Sequence, residues 1–275
     1  MKVFVLVENN ANDIFKGEHG LSFFIEYNGK TYIIDSGKTG IFLENALKLG
    51  VDLSNVDAAF LSHGHYDHSD GFEELFKINK DINVYLQENS EGKEYYSSKK
   101  YIGISKSLLR DYCNRFIYVD GFKEVDSGVY ICPHTTDGLS KRGDHAQLYF
   151  LCNGEKVPDD FSHEQTIVFE EGNNLFLFNS CSHGGVENII NEIKEMFPGK
   201  EIKAFFGGFH LMGNEGVNSC GFSHLEVEKL GNFLLKNTDA NFYTGHCTGK
   251  IAGKWLKNIL KEKFVELHSG MVIDL

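Results

Sequence analysis

Leu61-Ser62-His63-Gly64-His65-Tyr66-Asp67-His68-Ser69 is the stretch on which the reading of this chain turns. Three histidines and one aspartate fall within six residues, directly after the run Asp57-Ala58-Ala59-Phe60-Leu61. A short apolar run bounded by a polar cluster reads as a buried strand that opens into a loop. In extended backbone, side chains two apart point the same way, so His63 and His65 are expected to converge on one point. Asp67 and His68 follow after the loop bends and would converge on a second. Imidazole nitrogen and carboxylate oxygen are ligands for Zn²⁺, Mn²⁺ and Fe²⁺. The spacing predicts two neighbouring metal positions sharing one loop, rather than a polar loop that happens to be rich in histidine.

The same layout recurs downstream. Leu175 to Phe178 runs into Asn179-Ser180-Cys181-Ser182-His183, Ile202 to Phe206 into Gly207-Gly208-Phe209-His210, and Asn241 to Thr244 into Gly245-His246-Cys247. A helix is expected behind each: one carrying Val186, Ile189, Ile190, Ile193 and Phe197 at helical spacing, one from about His224 to Leu235, and one from about Lys250 to Leu260. Upstream, residues 2–7 read as a strand buried on both faces. Residues 21–27 and 31–35 read as a hairpin around Asn28-Gly29. Residues 41–49 form a helix stopped by Gly50. Ser69 or Asp70 is expected to cap a helix from Phe72 to Ile78. Further strands are expected at 82–86, 116–119, 129–132, 147–151, 165–169, 265–267 and 271–273. Strand, loop and helix in series implies an α/β chain whose sheets are covered by helices, with functional loops gathered at strand ends. His183 and His246, each just past a strand end and flanked by small residues, are the best candidates to complete the ligand set.

His63-Gly64-His65-Tyr66-Asp67-His68 resembles the HxHxDH signature of the metallo-β-lactamase superfamily. Glu18-His19-Gly20-Leu21-Ser22, Ile34-Asp35-Ser36-Gly37, Ser180-Cys181-Ser182-His183-Gly184-Gly185, Gly207-Gly208-Phe209-His210-Leu211 and Gly245-His246-Cys247-Thr248-Gly249 resemble one branch of it. That branch is the set of proteins similar to the archaeal 7,8-dihydropterin-6-methyl-4-(β-D-ribofuranosyl)aminobenzene-5′-phosphate synthase. The resemblance implies an αββα sandwich, two mixed β-sheets covered by helices. It implies that His63, His65 and His183 hold one metal, and Asp67, His68 and His246 the other. It also places Asp35 beneath the site, orienting a ligand histidine through its second ring nitrogen; simple turn chemistry is the alternative. His210 would complete a coordination sphere or act as a general acid, with Asp67 as the other catalytic group. The chain departs from the superfamily in one respect. A Gly-Asp usually supplies a metal-bridging carboxylate, and the comparable strand here ends in Ser180-Cys181-Ser182-His183. Cys181 is read as a buried thiol beside the ligands, the alternative being a thiolate in the missing aspartate's place.

The chain has 275 residues, of which 41% are hydrophobic and 13% aromatic, enough for a sizeable core. With 3 Pro and no linker-like run, residues 1–275 read as a single domain. The net charge of −12 argues against a nucleic-acid backbone or an anionic membrane as partner. The six cysteines form no CxxC pair, and no run is long and apolar enough to be a signal core or a bilayer span, so a cytoplasmic setting is expected. Residues 88–115 are locally basic and interleave Tyr95, Tyr96 and Tyr101. They read as an insertion covering the substrate, or as a solvated helix pair. Tyr96, Lys99 and Arg110 from this segment, with His19, are the candidate substrate contacts. The Lys141-Arg142 pair, placed in a loop, has the same two readings. His134, His145, His163, His224 and His268 have no motif context and read as ordinary loop or surface histidines. No GxSxG elbow or Walker A loop is present, nor a GxGxxG after the first strand. The expected function is a metal-dependent hydrolase with two divalent ions, Zn first and Mn or Fe as alternatives. A hydroxide held between the metals would attack a small anionic, phosphate-bearing substrate. The other readings are a dihydropterin transferase releasing diphosphate, a di-iron redox protein and a non-enzymatic sensor.

Overall fold

Val3 and Val5 point into one buried cluster, Phe4 and Leu6 into another. This period of two, with both faces apolar, is why the first strand reads as an unbroken hydrophobic run. The computed structural model describes every residue except Lys99 and Val217. Among the described residues, two seven-stranded mixed sheets lie face to face. The first runs in the order Val272–Asp274, Lys2–Val7, Ser22–Tyr27, Lys30–Ile34, Ala58–Phe60, Val84–Gln87, Phe116–Val119. The second runs Phe264–Glu266, Asn241–Thr244, Glu201–Phe206, Asn174–Phe178, Gln165–Glu171, Val129–Pro133, Lys123–Asp126.

The shared core takes Val3, Val5, Phe23 and Ile25 from the first sheet and Phe169, Phe176, Phe178 and Phe206 from the second. On the outer face of the first sheet, Ile33, Ala59 and Val84 pack with Phe42, Ala46, Phe72 and Phe76 of helices Ile41–Leu49 and Phe72–Ile78. On the outer face of the second, Leu175, Leu177 and Phe205 pack with helices Val186–Met196, His224–Asn237 and Lys250–Leu260. The result is the expected α/β sandwich of two sheets between helices. Strands Lys30–Ile34 and Ala58–Phe60 run parallel, as do Asn174–Phe178, Glu201–Phe206 and Asn241–Thr244. Parallel strands joined by helices deliver their outgoing loops to one edge. Asp35, the HxHxDH loop, Cys181-His183, His210 and His246 all leave such strands.

Several local expectations are corrected. Neither Ser69 nor Asp70 caps the helix Phe72–Ile78; its first residue follows Gly71, where a Cβ would lie 2.2 Å from the Ser36 carbonyl oxygen. Asp70 instead accepts from the Ser105 N–H at 2.9 Å. Lys141 and Arg142 lie in the helix Ser140–Ala146, not a loop. That helix has no apolar period, and Gly143 within it is required by contact with the Asp159 backbone. Strands Lys123–Asp126 and Glu155–Pro158, edge strands of mainly polar sequence, carry no alternation to reveal them. Residues 88–115 are not a helix pair. Tyr95–Ser97 and Lys100–Tyr101 are strands of a small sheet completed by Leu148–Cys152 and Glu155–Pro158.

The Phe178 ring is fully buried and stacks on Phe206 at 4.5 Å between centroids. It also meets Phe23 and Phe169 edge-on. Phe178→Ala is therefore expected to lower the unfolding free energy by about 3–5 kcal/mol, read by denaturant titration. A loss under about 1 kcal/mol would mean the inter-sheet core re-closes over the gap.

Candidate metal centre

Asp35 follows strand Lys30–Ile34 with φ 57° and is fully buried. Its Oδ1 accepts the Ser62 N–H and its Oδ2 the Ser62 hydroxyl, both at 2.7 Å. With that hydroxyl donating to Asp35, Ser62 Oγ accepts from His63 Nδ1 at 2.8 Å. His68 Nδ1 donates to Asp35 Oδ2, also at 2.8 Å. One carboxylate thus fixes both rings through their Nδ1 atoms and leaves each Nε2 to face the ligand cluster. The loop has a second support. The Gly64 N–H donates to His163 Nδ1 at 2.9 Å, so His163 Nε2 carries the proton and faces Asp159 at 3.1 Å.

The His183 loop is held by a different carboxylate. Glu164 accepts the N–H groups of His183 and Gly184 at 2.8 and 2.9 Å. His134 sits between Glu164 and Glu192, at 2.6 and 2.9 Å from them. Burial disfavours charge on His134, but the two carboxylates outweigh it and raise its pKa to about 9. Phe161 stacks on the His183 ring at 5.1 Å. The His246 loop hangs on the first strand: Glu8 accepts the His246 N–H, the Glu8 N–H donates to Ser269 Oγ, and His246 Nδ1 donates to Asn9 Oδ1 at 2.9 Å. Burial lifts the Glu8 carboxyl to about 7.

These supports bring the expected ligands together. The rings of His63, His65 and His183 lie 4.5–4.9 Å apart, centroid to centroid. Asp67 Oδ2 stands 3.6 Å from both His68 Nε2 and His246 Nε2, and 3.3 Å from His19 Nε2. Burial holds His63, His65, His183 and His246 well below the ordinary imidazole pKa, in the neutral form that binds metal. Among the described residues, His63 Nε2, His65 Nε2, both His183 ring nitrogens and His210 Nδ1 are buried with no hydrogen-bond partner. An unpaired buried polar group costs about 1–3 kcal/mol. His63 Nε2, His65 Nε2 and one ring nitrogen of His183, on rings 4.5–4.9 Å apart, fit a divalent ion as the missing partner.

A cavity of about 390 Å³ has His183 and His210 in its lining, with Lys141, Arg142, His145, Met212 and Phe222 around them. His210 lies 4.1 Å from the His183 ring, with φ 46°. Neither Tyr96 nor Arg110 lines this cavity. The Tyr96 hydroxyl donates to Glu94, and Arg110 pairs with its neighbour Asp111. Lys99 lies outside the described residues. Four supporting residues were missed or misread. His134 and His163, taken as ordinary histidines, are buried parts of the scaffold. Glu164 precedes the strand Gln165–Glu171, whereas the ligand candidates follow theirs. Glu8 does leave the first strand, so the strand-end rule applied there would have found it.

Fold and site together define a metal-binding αββα protein with its candidate ligands on loops that leave strand ends. Residues 16–143 match the model of the metallo-beta-lactamase superfamily. A Methanocaldococcus jannaschii relative, 7,8-dihydropterin-6-methyl-4-(beta-D-ribofuranosyl)-aminobenzene-5'-phosphate synthase, is 28% identical over 296 residues, covering 99% of this chain and 96% of its own. An uncharacterised protein of the same organism is 26% identical over 276 residues, covering 98% and 99%. Among solved structures, a metal-dependent hydrolase of the beta-lactamase superfamily is 28% identical with TM-score 0.84, covering 100% of this chain and 99% of that one. No helix among the described residues is long and apolar enough to cross a membrane.

Two predictions follow from the supports. Asp35→Ala is expected to weaken metal binding about 10–100-fold, read by chelator competition, because the His63 and His68 rings are no longer fixed through their Nδ1 atoms. For His134, a pKa of about 9 against an ordinary 6.5 means stability present below pH 6.5 and lost as pH rises through 9. The stability gap between wild type and His134→Gln should therefore be largest near pH 6 and narrow by on the order of 3 kcal/mol toward pH 9.5, measured by urea unfolding. A gap independent of pH would rule out an imidazolium at this position.

Proposed function

We propose that this protein is a metal-dependent hydrolase acting on a small anionic, phosphate-bearing substrate. One observation carries the reading: unpaired ring nitrogens of His183 and His210 border a cavity whose wall holds Lys141, Arg142 and His145. His63, His65 and His183 would hold one divalent ion, and Asp67, His68 and His246 the other. When bound, such ions polarise a phosphoryl oxygen and lower the pKa of a coordinated water to about 7. Lys141 lies on the exposed side of the wall and would receive the anionic group. Arg142 is already paired with Glu187, so its contribution is to rigidify that wall. Phe222 and His145, 5.0 Å apart, offer an aromatic surface to a flat ring. His210 Nδ1 has no partner within the protein and would hand a proton to the leaving oxygen. His19, beside Asp67 and partly exposed, would bind substrate from the opposite side of the site.

The second reading is a transferase that joins a dihydropterin to a phosphorylated ribosyl compound with loss of diphosphate. The end-to-end likeness to the methanopterin-pathway relative favours it. The two readings separate in one assay. A hydrolase converts a phosphodiester and water to a phosphomonoester and an alcohol without a pterin present; a transferase releases diphosphate only when the pterin is supplied. Under either reading, His65→Ala is expected to remove bound metal and turnover together. Lys141→Ala should raise KM roughly 3–30-fold and leave kcat nearly unchanged. Full activity in His65→Ala would sink the metal-dependent reading, and an unchanged KM in Lys141→Ala would remove the anion contact.

A further inference from the structure

We propose that the Cys181 sulfur is a shared ligand of both metal positions, a thiolate in the place the superfamily usually gives to an aspartate. Cys181 is 4% exposed and sits between the two ligand sets. Its Sγ falls within 4.8 Å of ligand atoms of His63 and His183, and equally of His68 and His246. It is the residue common to those two groups, and it lies 3.4 Å from His68 Nε2. The groups around it are the buried nitrogens that lack partners, His63 Nε2 and those of His183. The turn fixes its position. Asn179 Oδ1 accepts the Ser182 N–H at 2.8 Å, Ser182 takes φ 54°, and the Ser180 carbonyl accepts the Gly208 N–H at 2.8 Å. Cys181 and His183 are thereby presented to the same site from one short loop. A cysteine in a purely structural role would face apolar neighbours; this one faces imidazoles.

The chemistry differs from that of the carboxylate it replaces. On binding, the thiol proton leaves to solvent and the sulfur carries one negative charge, the same charge an aspartate would bring. Thiolate is a soft ligand suited to Zn²⁺, Co²⁺ and Fe²⁺, whereas carboxylate also suits Mn²⁺ and Mg²⁺. Cys181 thus narrows the set of ions the site prefers. Cys247 is the nearby control: its Sγ lies near Cys181 and His210, and it donates to the Cys181 carbonyl at 3.5 Å.

This inference rests on the metal-dependent reading above, and the experiment separates the two. Wild type, Cys181→Ser, Cys181→Asp and Cys247→Ser are loaded with cobalt(II) and followed by absorbance and elemental analysis. Wild type should show sulfur-to-cobalt charge-transfer absorption in the near ultraviolet. Both Cys181 variants should lose it and Cys247→Ser should keep it. Cys181→Asp should still bind as many ions as wild type, with its zinc-over-manganese preference lowered by about an order of magnitude. Bound cobalt without the charge-transfer band, or a band lost only in Cys247→Ser, would overturn the assignment while leaving the metal centre standing. A wild-type protein that takes up no cobalt would overturn both.

Discussion

The Asp35 carboxylate is the constraint on which the rest of the site depends. It is fully buried, and its oxygens are filled by hydrogen bonds from Ser62 and from the basic ring of His68. Those bonds join the ends of two parallel strands and orient two ligand rings in one arrangement. A buried carboxylate is stable only when its oxygens are filled with donors, so the loop cannot shift without exposing a large desolvation cost. The same device appears at the other two ligand loops, with Glu164 beneath His183 and Glu8 beneath His246. Three acidic groups, none of them a proposed ligand, fix the backbone from which the ligands project.

This arrangement explains how so many histidines share one small volume. Crowded imidazoles in low dielectric resist protonation, and burial together with mutual repulsion keeps four of them neutral. His68 is the exception. Burial works against its charge, but Asp67 and Asp35 outweigh it and raise its pKa to about 9. A cation placed between Asp67 and His68 would take over the role of that proton.

Much of the fold was legible because it rests on short-range pattern. Short apolar runs ending in a polar loop marked the strands at Leu175 to Phe178 and Ile202 to Phe206, Asn28-Gly29 marked the hairpin turn, and the helix Lys250–Leu260 was visible to the residue. The ligand candidates were legible too, since each lies just past a strand end. What was not legible depends on distance along the chain. Glu164 and His134 meet across 30 residues, and His163 reaches Gly64 across 99. Nothing local distinguishes a buried histidine that props a loop from one on the surface. The cations that border the cavity were hard to single out for a related reason. The basic segment 88–115 drew attention by composition, whereas the Lys141-Arg142 pair, in a helix without an apolar stripe, borders the cavity.

The bond between Glu8 and His246 spans 238 positions. A ribosome adding about 5–20 residues per second needs roughly 10–40 s to travel from His68 to His246. Throughout that interval the nascent chain offers His63, His65 and His68 without the loops that complete their geometry. Lys2–Val7 also waits for Val272–Asp274 before it is flanked on both sides. Two or three histidines on a flexible segment discriminate poorly among divalent ions and release them quickly. Discrimination would begin only as the later loops dock. The choice among ions would then rest with the finished molecule in equilibrium with its surroundings, and not with whatever metal the chain meets while it is being made.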